Sequence, residues 1–205
     1  MNRITSEAQL RAIIGEPTSL VQSKITNRVT PLARRFIELS PLVCIATSAP
    51  NGDCDVSPRG DPAGFVRLLD DRTMLLPERP GNRLADTLRN ILVNPHVGLL
   101  FVIPGATDTL RVNGRAFVTD DASLLTDSQV EGKPPKLGIV VEIDEVFTQC
   151  SKAFLRSECW NPARFVNPSE LPTGGQIMAY LRDDIDAQTY DTERSIRYAR
   201  RENFY

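Results

Sequence analysis

Histidine is nearly missing from this sequence, which holds one, His96, in 205 residues. This scarcity excludes HExxH sites, two-histidine metal sites and His-based catalytic triads with any redundancy. His96 follows Asn94 and Pro95 at the start of an apolar run. We therefore interpret it as a turn residue rather than as a haem ligand or a catalytic base.

Cysteine is also scarce, and no CxxC pair occurs among Cys44, Cys54, Cys150 and Cys159. These residues could ligate zinc only if the fold gathered all four, because their spacing is not that of a zinc site. We predict instead that they are buried small hydrophobic residues in a reducing compartment, and that the protein holds no metal.

Long apolar runs and an excess of one charge are lacking as well. The longest apolar run, residues 97–104, is far shorter than the ~20 residues of a membrane helix. No basic start followed by an apolar stretch indicates an export signal. The 24 Lys and Arg nearly balance 26 Asp and Glu, so the net charge is −2. We expect a cytoplasmic protein with no membrane and no nucleic-acid partner.

Neither a GxGxxG sequence nor a P-loop is present, which disfavours Rossmann and P-loop nucleotide sites. Instead, about six β-type segments follow one another between residues 42 and 148, joined mostly by tight turns. One helical pattern near residues 82–93 interrupts them. This order predicts a mainly β, α+β protein built on a six-stranded antiparallel barrel with flanking helices.

We predict a single domain over residues 1–205. Residues 1–40 form a helical extension, residues 41–149 the barrel, and residues 150–205 a helical and irregular segment. Ser6, with Gln9 three residues later, has the pattern of a capping box.

Two segments, residues 57–62 (SPRGDP) and 77–83 (PERPGNR), lie where strands leave the predicted barrel. We predict that Asn82 caps the helix that follows, so that its first amide groups and positive dipole end face an anion. Arg83 adds a permanent, bidentate phosphate partner. These features indicate a phosphate site.

The same arginines also have a purely structural interpretation. Arg79 and Arg83 could form ion pairs on a solvated face. Their acidic partners would then be Glu78 and Asp86.

Two further basic groups lie later in the chain. Arg111 and Arg115 share a strand face with Thr109 and could complete the phosphate pocket. They could equally pair with acidic side chains, which we favour from these residues alone: Asp120, Asp121 and Glu142.

The second group precedes the single tryptophan. Lys152 and Arg156 lie one helical turn apart, shortly before Trp160. A tryptophan beside cations could cover an aromatic ligand, although a lone tryptophan is more often a core or interface residue.

Over about residues 30–165 the sequence resembles the pyridoxamine 5′-phosphate oxidase-related, FMN-binding split-barrel proteins. The resemblance lies in residues 57–62 and 79–83, in residues 94–101 and 109–116, and in the cysteine-to-tryptophan segment at residues 150–160. It implies a six-stranded split barrel and a homodimer with FMN in two clefts at its interface.

The resemblance also implies where FMN binds. Asn82 and Arg83 would hold the phosphate with Thr109 or Arg111 nearby, and residues 56–61 would line the isoalloxazine. The cofactor-binding residues expected are Ser57, Arg59, Gly60, Asp61, Asn82, Arg83, Thr109, Arg111, Lys152 and Trp160.

We expect an FMN-dependent oxidoreductase acting on a small molecule, with no catalytic residue that can be named. Alternatives are a flavin carrier, scavenger or sensor without turnover, and a split barrel that holds haem or a deazaflavin. Residues 191–205 lack the Arg/His motif of true pyridoxamine phosphate oxidases. We therefore do not expect oxidation of pyridoxamine phosphate itself.

Overall fold

A computed structural model describes residues 1–205. The strands are β1 (Leu42–Ser48), β2 (Cys54–Gly60), β3 (Arg67–Leu68), β4 (Thr73–Glu78), β5 (His96–Val102), β6 (Thr109–Thr119) and β7 (Leu137–Gln149). The helices are α1 (Glu7–Ile14), α2 (Ser19–Ser23), α3 (Pro31–Leu39), α4 (Asp86–Val93), α5 (Ala122–Leu125), α6 (Lys152–Ser157), α7 (Gly174–Leu181) and α8 (Ala187–Ala199).

The strands form one sheet in the order β2-β1-β5-β6-β7-β4-β3, and every neighbouring pair is antiparallel. The predicted fold class is therefore confirmed. The sheet has seven strands rather than six, because the two-residue β3 also pairs with β4.

The two ends of this sheet meet. β2 and β4 are first and sixth in the strand order, so in a flat sheet they would lie about 24 Å apart. Yet the Arg59 guanidinium is 2.7 Å from the Glu78 carboxylate, and the Arg79 guanidinium is 2.6 Å from the Asp61 carboxylate. The sheet therefore curls into a barrel. We call the junction at these two ion pairs the seam, since no backbone ladder joins β2 to β4 there.

The core lies inside this curled sheet, as alternating strand patterns predict. Its fully buried members include Val43, Ile45, Met74, Leu99, Phe101, Leu110, Val112 and Val141. β6 and β7 approach each other closely at a bulge after Asn113. A Cβ at Gly114 would collide with the Glu142 carbonyl oxygen there, which explains the glycine.

The N-terminal helices pack little against the barrel until α3, whose Ala33 and Ile37 are buried. The Ser6 cap is confirmed, because its hydroxyl accepts a hydrogen bond from the Gln9 amide at 3.3 Å. The full capping box is not formed, because the Gln9 side chain accepts from the Thr5 amide at 2.9 Å. None of the helices has the length and hydropathy needed to cross a membrane.

The prediction that the cysteines are buried is wrong. Cys54 and Cys150 are exposed, while Cys44 and Cys159 are half-buried, and all four are free thiols. Cys54 begins the edge strand β2 and Cys150 follows the end of β7, where the barrel no longer covers the chain.

Candidate functional site

The inner face of β2 is polar, unlike that of the strand beside it. β1 buries Val43 and Ile45, whereas β2 turns Asp55, Ser57 and Arg59 toward the molecule. An edge strand with inward-facing charges cannot complete a hydrophobic core, so these side chains need polar partners. β2 therefore brings three polar groups to the seam.

Two of these β2 side chains, Asp55 and Ser57, are hydrogen-bonded to α4. The buried Thr87 hydroxyl donates to the Asp55 carboxylate at 2.7 Å and lies 3.2 Å from the Ser57 hydroxyl. The Ser57 hydroxyl also lies 3.2 Å from the same carboxylate oxygen. This network fixes the start of α4 against β2.

The segment between β4 and α4 differs from its predicted structure. The prediction that Asn82 caps the helix is wrong, because α4 begins at Asp86 and no side chain caps it. The Asn82 side chain instead accepts a hydrogen bond from the Leu84 amide at 3.0 Å, forming a local turn. Arg83 and Ala85 have left-handed backbone (φ 66° and 58°), which prevents an earlier helix start.

A cleft of about 460 Å³ opens between β2 and this segment. Its walls include four residues predicted to bind the cofactor, Ser57, Arg59, Asn82 and Arg83, together with Asp55, Glu78, Asp86 and Thr87. A volume of this size is typical of small-molecule sites. The structure therefore brings four of the ten predicted residues together.

The two arginines of the cleft differ in what they bind. Arg59 is paired with Glu78, whereas no carboxylate lies within 4.0 Å of the Arg83 side chain, which is exposed. The predicted alternative, in which Arg83 pairs with Asp86, is wrong, because Asp86 faces Arg89 at 3.7 Å. Arg83 is thus a cation of the cleft with its charge free for an anion.

The Arg59–Glu78 pair is imperfectly satisfied. The second Glu78 oxygen and the Arg59 Nε are both buried and have no hydrogen-bond partner. Burial raises the pKa of the Glu78 carboxyl, and the charge and hydrogen bond of Arg59 lower it by less. The pair thus leaves one donor and one acceptor unused beside the cleft.

The second seam pair lies against a smaller cavity of about 240 Å³, whose walls include Arg59, Gly60, Asp61 and Arg79. The Asp61 carboxylate is only 2% exposed, and Arg79, at 15%, also donates to the Ser128 carbonyl at 2.7 Å. The interpretation that Arg79 forms an ion pair with Glu78 on a solvated face is therefore wrong. Its charge is used inside the protein.

The other predicted residues lie elsewhere. Thr109 is buried at the start of β6, and Arg111 is exposed with its guanidinium 5.3 Å from the centre of the Phe147 ring. The favoured pairing of Arg111 with an acidic side chain is therefore wrong, because it bonds to Asn113 instead. Lys152 is exposed on α6. Trp160 donates its indole N–H to the Ala106 carbonyl at 2.7 Å. We call Thr109, Arg111, Lys152 and Trp160 together the tryptophan region. None of these residues lines either cavity at the seam.

Three residues of the site were not predicted: Asp55, Glu78 as the partner of Arg59, and Thr87. The alternation of polar residues along β2 was a usable signal for Asp55, since it shares a face with Ser57 and Arg59. No local pattern could have found Thr87 or the Glu78 pairing, because both depend on barrel closure.

The sequence model described as pyridoxamine 5′-phosphate oxidase matches residues 29–150, more than half of the chain. The chain belongs to the pyridoxamine 5′-phosphate oxidase family. The matched residues span β1 to β7 and therefore include both seam ion pairs. The predicted family resemblance is confirmed. No curated protein gives a significant match to the sequence.

Three solved structures illustrate what this family member is similar to. HupZ of Group A Streptococcus has a TM-score of 0.49 and 21% identity, covering 58% of this chain and 93% of HupZ. General Stress Protein 26 of Bacillus anthracis has a TM-score of 0.44 and 15% identity, covering 56% and 88%. An FMN-binding protein of Syntrophomonas wolfei has a TM-score of 0.43 and 12% identity, covering 69% and 97%. All three scores are below 0.5, so the family assignment rests on the sequence match.

Proposed function

We propose that this protein binds FMN in the seam cleft and acts as an FMN-dependent oxidoreductase on a small molecule. The observation that carries the proposal is the exposed Arg83, whose charge is unpaired at the wall of the cleft. Beside it, the first turn of α4 has no side-chain cap. A guanidinium next to free helix amides suits a phosphate dianion.

The rest of the cleft supports the isoalloxazine end. The Arg59 guanidinium, held by Glu78, brings positive charge to the wall for a ring carbonyl, and the Ser57 hydroxyl lies in the same wall. FMN, when bound, supplies the redox chemistry, and the protein supplies binding, orientation and electrostatics. We assign no general base, since hydride transfer to a flavin does not require one.

A homodimer would combine the two regions of the chain. Lys152 and Trp160 belong to the expected binding set, yet within one chain they share no seam cavity with Arg83. We propose that the tryptophan region of a second copy completes each cleft, so that a dimer holds two flavins. Such an obligate interface buries upwards of ~2,000 Å². Light scattering that shows a monomer with bound FMN would contradict this arrangement.

The test of the cofactor proposal is the Arg83→Ala variant. Because the side chain is exposed and leaves the core intact, the variant should fold and lose FMN affinity by about 2–4 kcal/mol. Riboflavin, which lacks the phosphate, should bind weakly to both proteins. Fluorescence titration of the apo-proteins with each flavin measures the difference.

The matched control is Arg34→Ala, which removes another exposed arginine with no ion pair. It should leave the FMN affinity unchanged. Equal FMN affinity in wild type and Arg83→Ala would move the phosphate site elsewhere. The absorption spectrum of freshly purified protein separates FMN from a haem or a deazaflavin.

Turnover separates an oxidoreductase from a flavin carrier or sensor. We expect the FMN-loaded protein to oxidise a reduced nicotinamide in the presence of an electron acceptor. We expect no oxidation of pyridoxamine 5′-phosphate. A loaded protein that turns over no reductant would favour the carrier or sensor.

A further inference from the structure

The ring of Tyr205 lies at the seam, where two arginines contact it. The guanidinium of Arg79 is 5.2 Å from the ring centre and that of Arg201 is 5.5 Å away. Arg201 is itself held by Glu131 at 3.2 Å. The segment of residues 200–205, whose arginines match no family motif, is thereby attached to the barrel next to the proposed flavin cleft.

The Tyr205 ring and the seam acid contact the same arginine, Arg79. Burial raises the pKa of the Tyr205 phenol, and the neighbouring Asp61 raises it further. The one hydrogen bond to the Asp61 side chain comes from the Arg79 Nε–H at 2.6 Å. With only 2% of its side chain exposed, Asp61 depends on Arg79 to offset the loss of water.

Arg79 links this contact to the cleft. It directly precedes the segment 80–85, which carries Arg83 and joins β4 to α4. The one side-chain hydrogen bond within that segment is local and joins the Leu84 amide to the Asn82 side chain. Its position is therefore set at one end by α4 and at the other by Arg79, which is fixed by Asp61, Ser128 and the Tyr205 ring.

We propose that Tyr205 is a positioning residue of the cleft. Its ring shields the Arg79–Asp61 ion pair from water, and the ion pair holds segment 80–85 so that Arg83 faces the cleft. Removal of the ring lets water compete for both charges, which weakens the pair and frees the segment. The inference rests on the proposed function for the identity of the ligand, whereas the effect on segment 80–85 is independent of any ligand.

The first experiment needs no cofactor. Trypsin can cut after Arg83 but not after Arg79, because a proline follows Arg79. In the apo-protein, Tyr205→Ala should raise the initial rate of cleavage after Arg83 about tenfold, since cleavage follows the population of the opened segment. Mass spectrometry of the fragments identifies the bond that is cut.

Two variants make the comparison specific. Tyr205→Phe keeps the ring against both guanidinium groups and should restore most of the resistance to trypsin. Phe204→Ala removes another aromatic ring of the same segment. The Phe204 ring contacts Arg201 and Tyr198 but not Arg79. This variant should be cut after Arg83 at nearly the wild-type rate.

The second measurement separates positioning from a general loss of structure. Tyr205→Ala should weaken FMN binding about tenfold and leave riboflavin binding unchanged, because it acts through the phosphate partner Arg83. Cleavage of Tyr205→Ala no faster than wild type overturns the proposal, as does equally fast cleavage of Phe204→Ala. Failure of every variant and of wild type to bind FMN would overturn the proposed function, while the trypsin comparison still decides the role of Tyr205.

Discussion

The seam and the tryptophan region both carry residues expected to bind FMN, and they differ in how the fold holds them. At the seam, charged side chains are largely removed from water and bind one another across the barrel closure, with Asp61 2% exposed. In the tryptophan region, Arg111 and Lys152 are exposed, and Trp160 binds a backbone carbonyl of its own chain. The seam thus joins charged groups within one chain, whereas the tryptophan region leaves Arg111 and Lys152 exposed.

The comparison also explains why Arg83 stands out. The other two arginines that line the seam cavities, Arg59 and Arg79, each have a carboxylate within 2.7 Å, so their charges are already balanced. Arg83 is held in a left-handed conformation beside them with no such partner. Arg83 is thus the one cation of the cleft wall without a carboxylate partner, while the Asp55 carboxylate in the same wall is bound only by the Ser57 and Thr87 hydroxyls. Mutations can test each part of this contrast.

The largest effect is expected at the buried seam pair. Asp61→Asn removes the charge that faces Arg79 and should lower the free energy of unfolding by about 3 kcal/mol, because a largely buried guanidinium loses its partner. Urea denaturation measures it. The control Glu142→Gln breaks the exposed pair with Arg115. An equal loss of unfolding free energy in both variants would mean that the buried seam pair stabilises the protein no more than the exposed pair does.

The next effect concerns pH. The pKa of Glu78 is raised in the folded protein, so the folded state holds this proton to higher pH than the unfolded chain does. The contribution of protonated Glu78 to the free energy of unfolding is complete below about pH 4.5, the ordinary pKa of a glutamate. It is lost as the pH rises through the raised pKa of the folded state. Between pH 4.5 and neutrality, the unfolding free energy of Glu78→Gln should therefore fall less than that of wild type.

Urea titrations at several pH values test this slope. Asp121, Asp184 and Asp186, whose pKa values are lowered from 3.8, lose their contributions only at more acidic pH. If the free energy of unfolding fell equally steeply with pH in wild type and Glu78→Gln, the burial of Glu78 would have no consequence for stability.

A smaller effect is expected in the tryptophan region. Trp160→Phe removes the 2.7 Å hydrogen bond to the Ala106 carbonyl but can keep the ring stacked on Phe154. We expect a loss of about 1 kcal/mol in the free energy of unfolding, the usual net value of one hydrogen bond. Thermal denaturation measures it, and a loss as large as that of Asp61→Asn would remove the distinction between the two regions.

The smallest effect is expected at the Arg115–Glu142 pair. Its charged groups are 3.4 Å apart, and both side chains are more than half exposed. Arg115→Ala should change the free energy of unfolding by about 0.5 kcal/mol or less. A larger loss, measured by the same urea titration, would show that charge pairs on this sheet matter irrespective of burial.

Short-range patterns in the sequence were enough to predict much of the fold. The alternation of residues predicted the long strands, and the Ser6 hydroxyl cap predicted the start of α1. The pairing of Arg115 with Glu142, favoured from the sequence, is also found. These features depend on residues that are near in sequence or on strand periodicity, and both are visible without coordinates.

The sequence by itself thus determined the long strands, the Ser6 cap of α1 and the family. Only the tertiary structure decided which arginine is free. Arg59 and Arg79 find acids that lie 19 and 18 residues away in sequence, because the curled sheet brings β2 against β4. The left-handed turns at Arg83 and Ala85 shorten α4 against the local capping signal. The two ion pairs depend on barrel closure, which is a property of the whole sheet that no single segment encodes.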